Sequence, residues 1–365
     1  MKQAYLKSPL VDLILIIGPS FLAILVVLLF PNVFINNSDI PSYYWLVLIV
    51  FIDVGHVYST LFRSYFDAGM RKEHKVSFLL VPIFSLIAGI VLFSFSSMMF
   101  WRIMAYLAVF HFIRQQYGFM RIYSRFEVQS LFKRRIDAIA IYSASIYPVL
   151  HWHLTDERNF NWFVKGDFLH FNSSIAIHLF TYMYWAILGL YVWSEIRQSI
   201  QLKMFNVPKN LFLIGTYLSW YLGIIYFNSD LAFTTLNVVS HGIPYMVLVW
   251  LTAHQRMIKS ESGFTALTKL TLKTYGIPLF IAFLMLLAYL EEGLWDGFVW
   301  RDHETVFTAF SRLPQITGPE LLNILVPLLA LPQITHYVLD GFIWKISKDE
   351  GFKSKAQRNT VNVPE

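Results

Sequence analysis

Four of the eleven histidines in this chain, His56, His111, His241 and His336, lie deep inside long apolar runs. An ionisable side chain is expensive in a hydrocarbon environment and marks a functional site by default. Neutral imidazole is the commonest biological metal ligand, and a ligating ring needs a partner on its other nitrogen. Helical spacing offers such partners at three and four residues, on the same face. Asp53 and Thr60 flank His56, and Arg114 and Gln115 follow His111. Asn237 and Tyr245 flank His241, and Gln333 and Asp340 flank His336. Four nitrogen ligands suit Fe(II), Cu or Zn by type. A closed four-histidine zinc site would be structural, so Fe(II) with open positions for O₂ is the expectation. Asp53, Gln115, Asn237 and Asp340 are the expected orienting groups. The plainer reading is that each histidine hydrogen-bonds between helices.

Two further residues bear on such a site. Arg114 stands one turn beyond His111, placed either to pair with Asp53 or Asp340 or to serve the site. Tyr245 stands one turn beyond His241, placed to hydrogen-bond a metal-bound oxygen species or to act as a weak ligand. His178 falls near the outer end of its span without an acidic partner and reads as structural, His151 and His153 near an outer end read as interface residues, and His74, His170, His254 and His303 as loop or boundary residues. There is no HExxH, no HxxxH or HxxHH box, and no phosphate-cradling glycine loop. The absence of cysteine excludes disulfides, thiolate metal sites and iron–sulfur clusters.

The elements that must carry these residues follow from composition. The chain has 365 residues, 56% hydrophobic and 14% charged, with mean hydropathy +0.52. That charge content is far below the quarter or so of soluble domains, so an all-α polytopic membrane bundle is expected. Apolar runs near 10–30, 42–62, 76–96, 100–120, 136–154, 175–194, 210–228, 231–252, 275–292 and 321–344 predict about ten spans. The first has no small-residue cleavage site and reads as a span rather than a signal peptide. Of the 29 Lys and Arg, 23 fall in alternate loops and the termini, and four in the opposite loops. The positive-inside rule then places both termini in the cytoplasm. That pattern also accounts for the basic pI without invoking nucleic acid. Residues 1–345 read as one transmembrane domain and 346–365 as a basic cytoplasmic tail. The aromatic-rich loops 155–174 and 293–320 read as interfacial belts or as lids over an entry for a lipophilic substrate.

On this topology His56, His111, His241 and His336 all lie on helices running from outside to inside. A rise of about 1.5 Å per residue puts them about 21, 17, 15 and 22 Å from the outer ends of their spans. They therefore share one layer, at or below the midplane.

At these four places the chain resembles the bacterial Brp/Blh family of membrane β-carotene 15,15′-dioxygenases. The matching segments are Val54-Gly55-His56; His111-Phe112-Ile113 within HFIRQQYGF; Ser240-His241-Gly242-Ile243-Pro244-Tyr245 with Trp250 beyond; and LPQITHYVLDGFIWK around His336, Asp340, Trp344 and Lys345. Order and rough spacing agree. Two departures stand out: Tyr245 occupies the position of a second family histidine, and Thr60 that of an Asp. The resemblance implies a non-haem Fe(II) site in a helical bundle, using O₂ on a hydrophobic polyene.

The expected protein is thus a membrane oxygenase of a bacterial inner membrane, with a lipid-soluble substrate and a subunit count left open. Two rivals remain at this level. A bis-histidine haem protein would use the histidines as axial pairs. A transporter or proton relay would use the buried His, Asp and Arg residues.

Overall fold

A computed structural model describes residues 3–36, 40–127, 129–259 and 263–344. Among them every regular element is helical. The long helices are α1 (Pro9–Leu29), α2 (Ser42–Arg63), α3 (Lys75–Phe95), α4 (Ser97–Tyr123) and α5 (Leu131–Leu154). They continue with α6 (Ser174–Leu202), α7 (Val207–Trp220), α8 (Asp230–Lys259), α9 (Thr274–Trp300), α10 (Pro319–Leu329) and α11 (Leu331–Ile343). The basic tail lies outside the described residues.

All ten expected apolar segments are helical, but fewer than ten qualify as spans on length and composition. Six helices are long and apolar enough to cross a membrane, or seven if α10 and α11, bent by 41°, count as one. α4 and α5 are long enough but carry more polarity, with Arg102, Arg114 and Arg121 on α4 and Lys133 to Arg135 and Asp137 on α5, and α7 has only 14 residues.

The chain divides into two compact units, and α4 and α8 each contribute to both. The first comprises residues 1–40 and 109–244. Its helices start on side-chain caps: Ser130 accepts from Lys133 N–H, Ser173 from Ala176 N–H and Asn206 from Lys209 N–H. Asp12, fully buried, gathers the backbone N–H groups of Leu6, Lys7 and Ser8. α5 packs along α6, where Tyr147 stacks on Tyr184 at 4.3 Å, and α7 lies against both α5 and α1. The 155–173 segment is aromatic and well anchored. The Asp167 carboxylate accepts from Trp162, Phe163 and Val164 N–H at 3.0, 2.6 and 3.1 Å. Burial pushes that carboxyl above its usual range, and the N–H donors partly offset the rise.

The second unit comprises residues 41–108 and 245–365. α9 packs on α2, while α10 and α11 pack on α3. Gly89 of α3 permits close approach, since a β-carbon there would stand 2.9 Å from Pro327 of α10. The 301–318 segment folds back on α9, with the Phe307 ring buried and the Tyr289 hydroxyl donating to Val306 C=O at 3.0 Å.

α2 changes pitch along its length. Leu46–Val54 is wound as a π-helix, Gly55–Ser59 is α-helical, and Thr60–Arg63 tightens to a 3₁₀ turn. Wide π turns inside helices often occur at functional positions. Here the wide stretch ends at Val54, immediately before Gly55 and two residues before His56.

Candidate metal centre

The second unit builds a polar network around His56 and His336 inside an otherwise apolar core. Their rings meet edge to face with centroids 5.0 Å apart. His56 Nδ1 lies 3.5 Å from Asp53 Oδ1, one turn earlier on α2. His336 Nδ1 lies 2.7 Å from Thr60 Oγ1 and 3.8 Å from Asp340 Oδ1. The Tyr245 hydroxyl donates to Asp340 Oδ1 at 2.6 Å and lies 3.0 Å from Thr60 Oγ1. Trp344 Nε1–H in turn donates to the Tyr245 oxygen at 3.3 Å, and the buried Arg63 guanidinium stacks over the Trp344 ring at 4.7 Å. Thr60 engages His336 Nδ1, which leaves Nε2 as the nitrogen that ring offers to a metal, while Asp53 stands near His56 Nδ1 at a distance longer than a hydrogen bond.

The first unit holds His111 and His241 as a second pair. Their Nε2 atoms are 3.2 Å apart. Two nitrogens bound to one metal at about 2.1 Å each lie about 3.0–3.4 Å apart, for angles from a right angle to tetrahedral. The pair thus fits a shared ion, and the same spacing serves an N–H···N hydrogen bond. Phe112 lies flat on the His241 ring, at 3.5 Å and 6° between planes. Trp162 of the 155–173 segment meets Phe112 edge-on at 5.1 Å, so that segment covers the back of the pair.

All four histidines are buried, with 1, 3, 0 and 2% exposure for His56, His111, His241 and His336. The donor set fits a divalent transition metal, since buried neutral imidazoles are its commonest ligands. Unspent acceptors strengthen the fit. The buried carboxamide oxygens of Gln115 and Asn237 have no hydrogen-bond partner among the described residues. Both groups neighbour His241. Gln115 Nε2 donates to the His241 carbonyl at 2.9 Å, and Asn237 stands one turn before it on α8.

The expected residues separate by placement. Asp53 and Asp340 lie beside imidazoles of their own unit. Gln115 holds the His241 backbone rather than a ring. Asn237 donates to Phe233 C=O at 2.9 Å. Arg114 is exposed and donates to the Tyr142 hydroxyl at 2.9 Å, a bond between α4 and α5. Tyr245 is fully engaged in the ring of hydroxyl and carboxylate groups behind His336. The other helical histidines spend Nδ1 elsewhere: His153 on Val149 C=O at 2.6 Å and His178 on Ser174 C=O at 2.5 Å within their own turns, His254 on Leu272 C=O at 2.6 Å, and His151 near the Arg158 guanidinium at 2.8 Å.

Sequence reasoning passed over several buried polar residues. Arg63, Lys133 and Lys209 count there as loop cations, yet all three are buried. Lys209 reaches Glu127 and Glu195 at 2.8 and 2.6 Å, and Lys133 pairs with Asp137 and Glu195. In the second unit Glu291 and Asp296 are buried on α9. Two adjacent acidic residues in an apolar run, Glu291 and Glu292, were the available signal.

No family model, no curated protein and no solved structure matches this chain.

Proposed function

We propose that the protein is an integral-membrane, non-haem Fe(II) oxygenase acting on a hydrophobic polyene or other lipid-soluble substrate. His56, His111, His241 and His336 are the proposed ligands, and iron held there supplies activation of O₂. The observation that carries the reading is the burial of four imidazoles in long helices, with Nδ1 of His336 held by Thr60 and a carboxylate, Asp53, beside His56. Thr60 orients the His336 ring and holds a proton at its Nδ1, which presents Nε2 as a lone-pair donor, and Asp53 is the carboxylate nearest His56 Nδ1 on its own helix. Asp340 and Tyr245 keep Thr60 in place. The aromatic cover of Phe112 and Trp162 excludes water from the back of His241. The charge split between alternate loops supports ten spans with cytoplasmic termini, and the resemblance to the bacterial Brp/Blh family suggests a bacterial inner membrane.

A proton relay is the second reading, and it draws on the buried carboxyls Glu291 and Asp296 of α9. Metal analysis of purified protein separates the two. Stoichiometric iron is expected in the unaltered chain and in Glu291→Gln. A loss of about tenfold or more is expected in each of His56→Ala, His111→Ala, His241→Ala and His336→Ala. Metal content unchanged in all four histidine variants ends the oxygenase reading.

A further inference from the structure

The second unit carries an apolar groove of about 540 Å³ between α3, α4 and α11. Leu80, Phe84, Ala88, Ile103, Leu107 and Val338 line it. Its size lies within the range of small-molecule sites. Two observations identify an occupant. The first is position: α3 is an apolar 21-residue helix, long enough to cross a membrane, and most of its side chains are exposed. On the membrane reading proposed above, on which this inference rests, the medium outside it is hydrocarbon, and an apolar cavity of this kind does not hold water. The groove extends from Val76 to Leu92, about 24 Å of helix at about 1.5 Å per residue, long enough for one extended acyl chain.

The second observation is charge at one end. Val76 and Ser77 begin the groove, and Arg71, Lys72 and Lys75 stand just before them, all exposed. Glu73 is the only carboxylate in that stretch. The corner is braced. Arg71 donates to Tyr65 C=O, and the Tyr65 hydroxyl donates to Phe78 C=O at 2.8 Å. Basic residues at the mouth of an interhelical groove attract anionic headgroups of the cytoplasmic leaflet.

We propose that this groove is a specific site for one anionic phospholipid. An acyl chain lies between α3, α4 and α11, and the phosphate headgroup sits at Lys72 and Lys75. Val338 lines the groove two residues from His336, so the lipid packs on the α11 face away from the imidazole. The site stands independently of the metal reading.

The full chain is purified in detergent, exposed to vesicles of equal phosphatidylcholine and phosphatidylglycerol, and examined for retained lipid by native mass spectrometry. One phosphatidylglycerol per chain is expected, in preference to phosphatidylcholine. Lys72→Glu with Lys75→Glu should reduce that preference at least about fivefold per lysine. Ala88→Phe, which fills the groove, should remove the retained lipid while leaving iron content unchanged. Leu107→Trp tests the same space from α4 if the first variant does not fold. Equal retention of both lipids by the unaltered chain, or retention undiminished in the filled-groove variant, identifies annular lipid only and overturns the proposal.

Discussion

The Thr60 hydroxyl lies 2.7 Å from His336 Nδ1 and 3.0 Å from the Tyr245 hydroxyl, so one small side chain joins an imidazole to the buried pair Tyr245–Asp340. Asp340 itself stands 3.8 Å from that nitrogen, beyond hydrogen-bond range. Thr60 therefore sets the tautomer and angle of His336. Thr60→Val keeps the shape and removes the bond. Leaving the partners unsatisfied costs about 1–3 kcal/mol of stability. Loss of an orienting partner weakens a metal site about 10–100-fold. An Fe(II) titration of Thr60→Val should show that weakening, and Thr60→Ser should restore the affinity. Equal affinity in all three proteins would mean that Thr60 merely fills space.

Tyr245 is a positioning residue in this arrangement, because its hydroxyl is already engaged by Asp340, Thr60 and Trp344. Tyr245→Phe removes a buried donor to Asp340 and should lower stability by about 1–3 kcal/mol. Iron content should persist, unlike in His336→Ala. Thermal melts in detergent and metal analysis on the same samples check both parts. If Tyr245→Phe loses iron as completely as His336→Ala does, the tyrosine is a ligand.

What the sequence made legible here is local. His56 with Asp53 and His336 with Asp340 are separated by three and four residues, and helix geometry alone puts each pair on one face. The helical segments were legible for the same reason, since apolar runs of span length admit few alternatives. Thr60 beside His336 was not legible, because 276 residues separate them and only packing of α2 near α11 joins them. Lys209 shows the limit of charge counting. A lysine at a helix start reads as a loop cation, whereas Glu127 and Glu195, which neutralise it, arrive from elsewhere in the first unit. Gln115 kept its neighbour but not its role: it faces His241, at the backbone carbonyl.

The Lys209 cluster yields a stability prediction. Its ammonium is fully buried and bonded to Glu127 and Glu195. Removing one partner of a buried ion pair costs about 3–5 kcal/mol, because the other charges stay behind. Lys209→Met should therefore destabilise the protein strongly. Lys209→Met combined with Glu195→Gln should recover part of the loss, since one stranded carboxylate is then neutral. Chemical denaturation in detergent measures the set. A double variant no more stable than the single one would show that the cluster contributes through shape and not through charge.

His303 gives a pH dependence outside the spans. Its ring stacks on Trp45 at 3.9 Å, and its backbone N–H donates to Asp296 at 2.7 Å. Burial pushes the imidazole below its usual 6.5, against the opposing pull of Asp296 and Asp302. The unfolded chain therefore takes up this proton first as pH falls. Stability contributed by the neutral ring is complete above about pH 6.5 and is lost as pH falls from there through the lower folded value. Melting temperature should decline between about pH 7.5 and 5.5, with a matching change in Trp45 fluorescence. His303→Phe keeps a flat ring against Trp45 and cannot bind the proton, so its melting temperature should decline less over the same interval. Identical slopes in the two proteins would place the titration elsewhere.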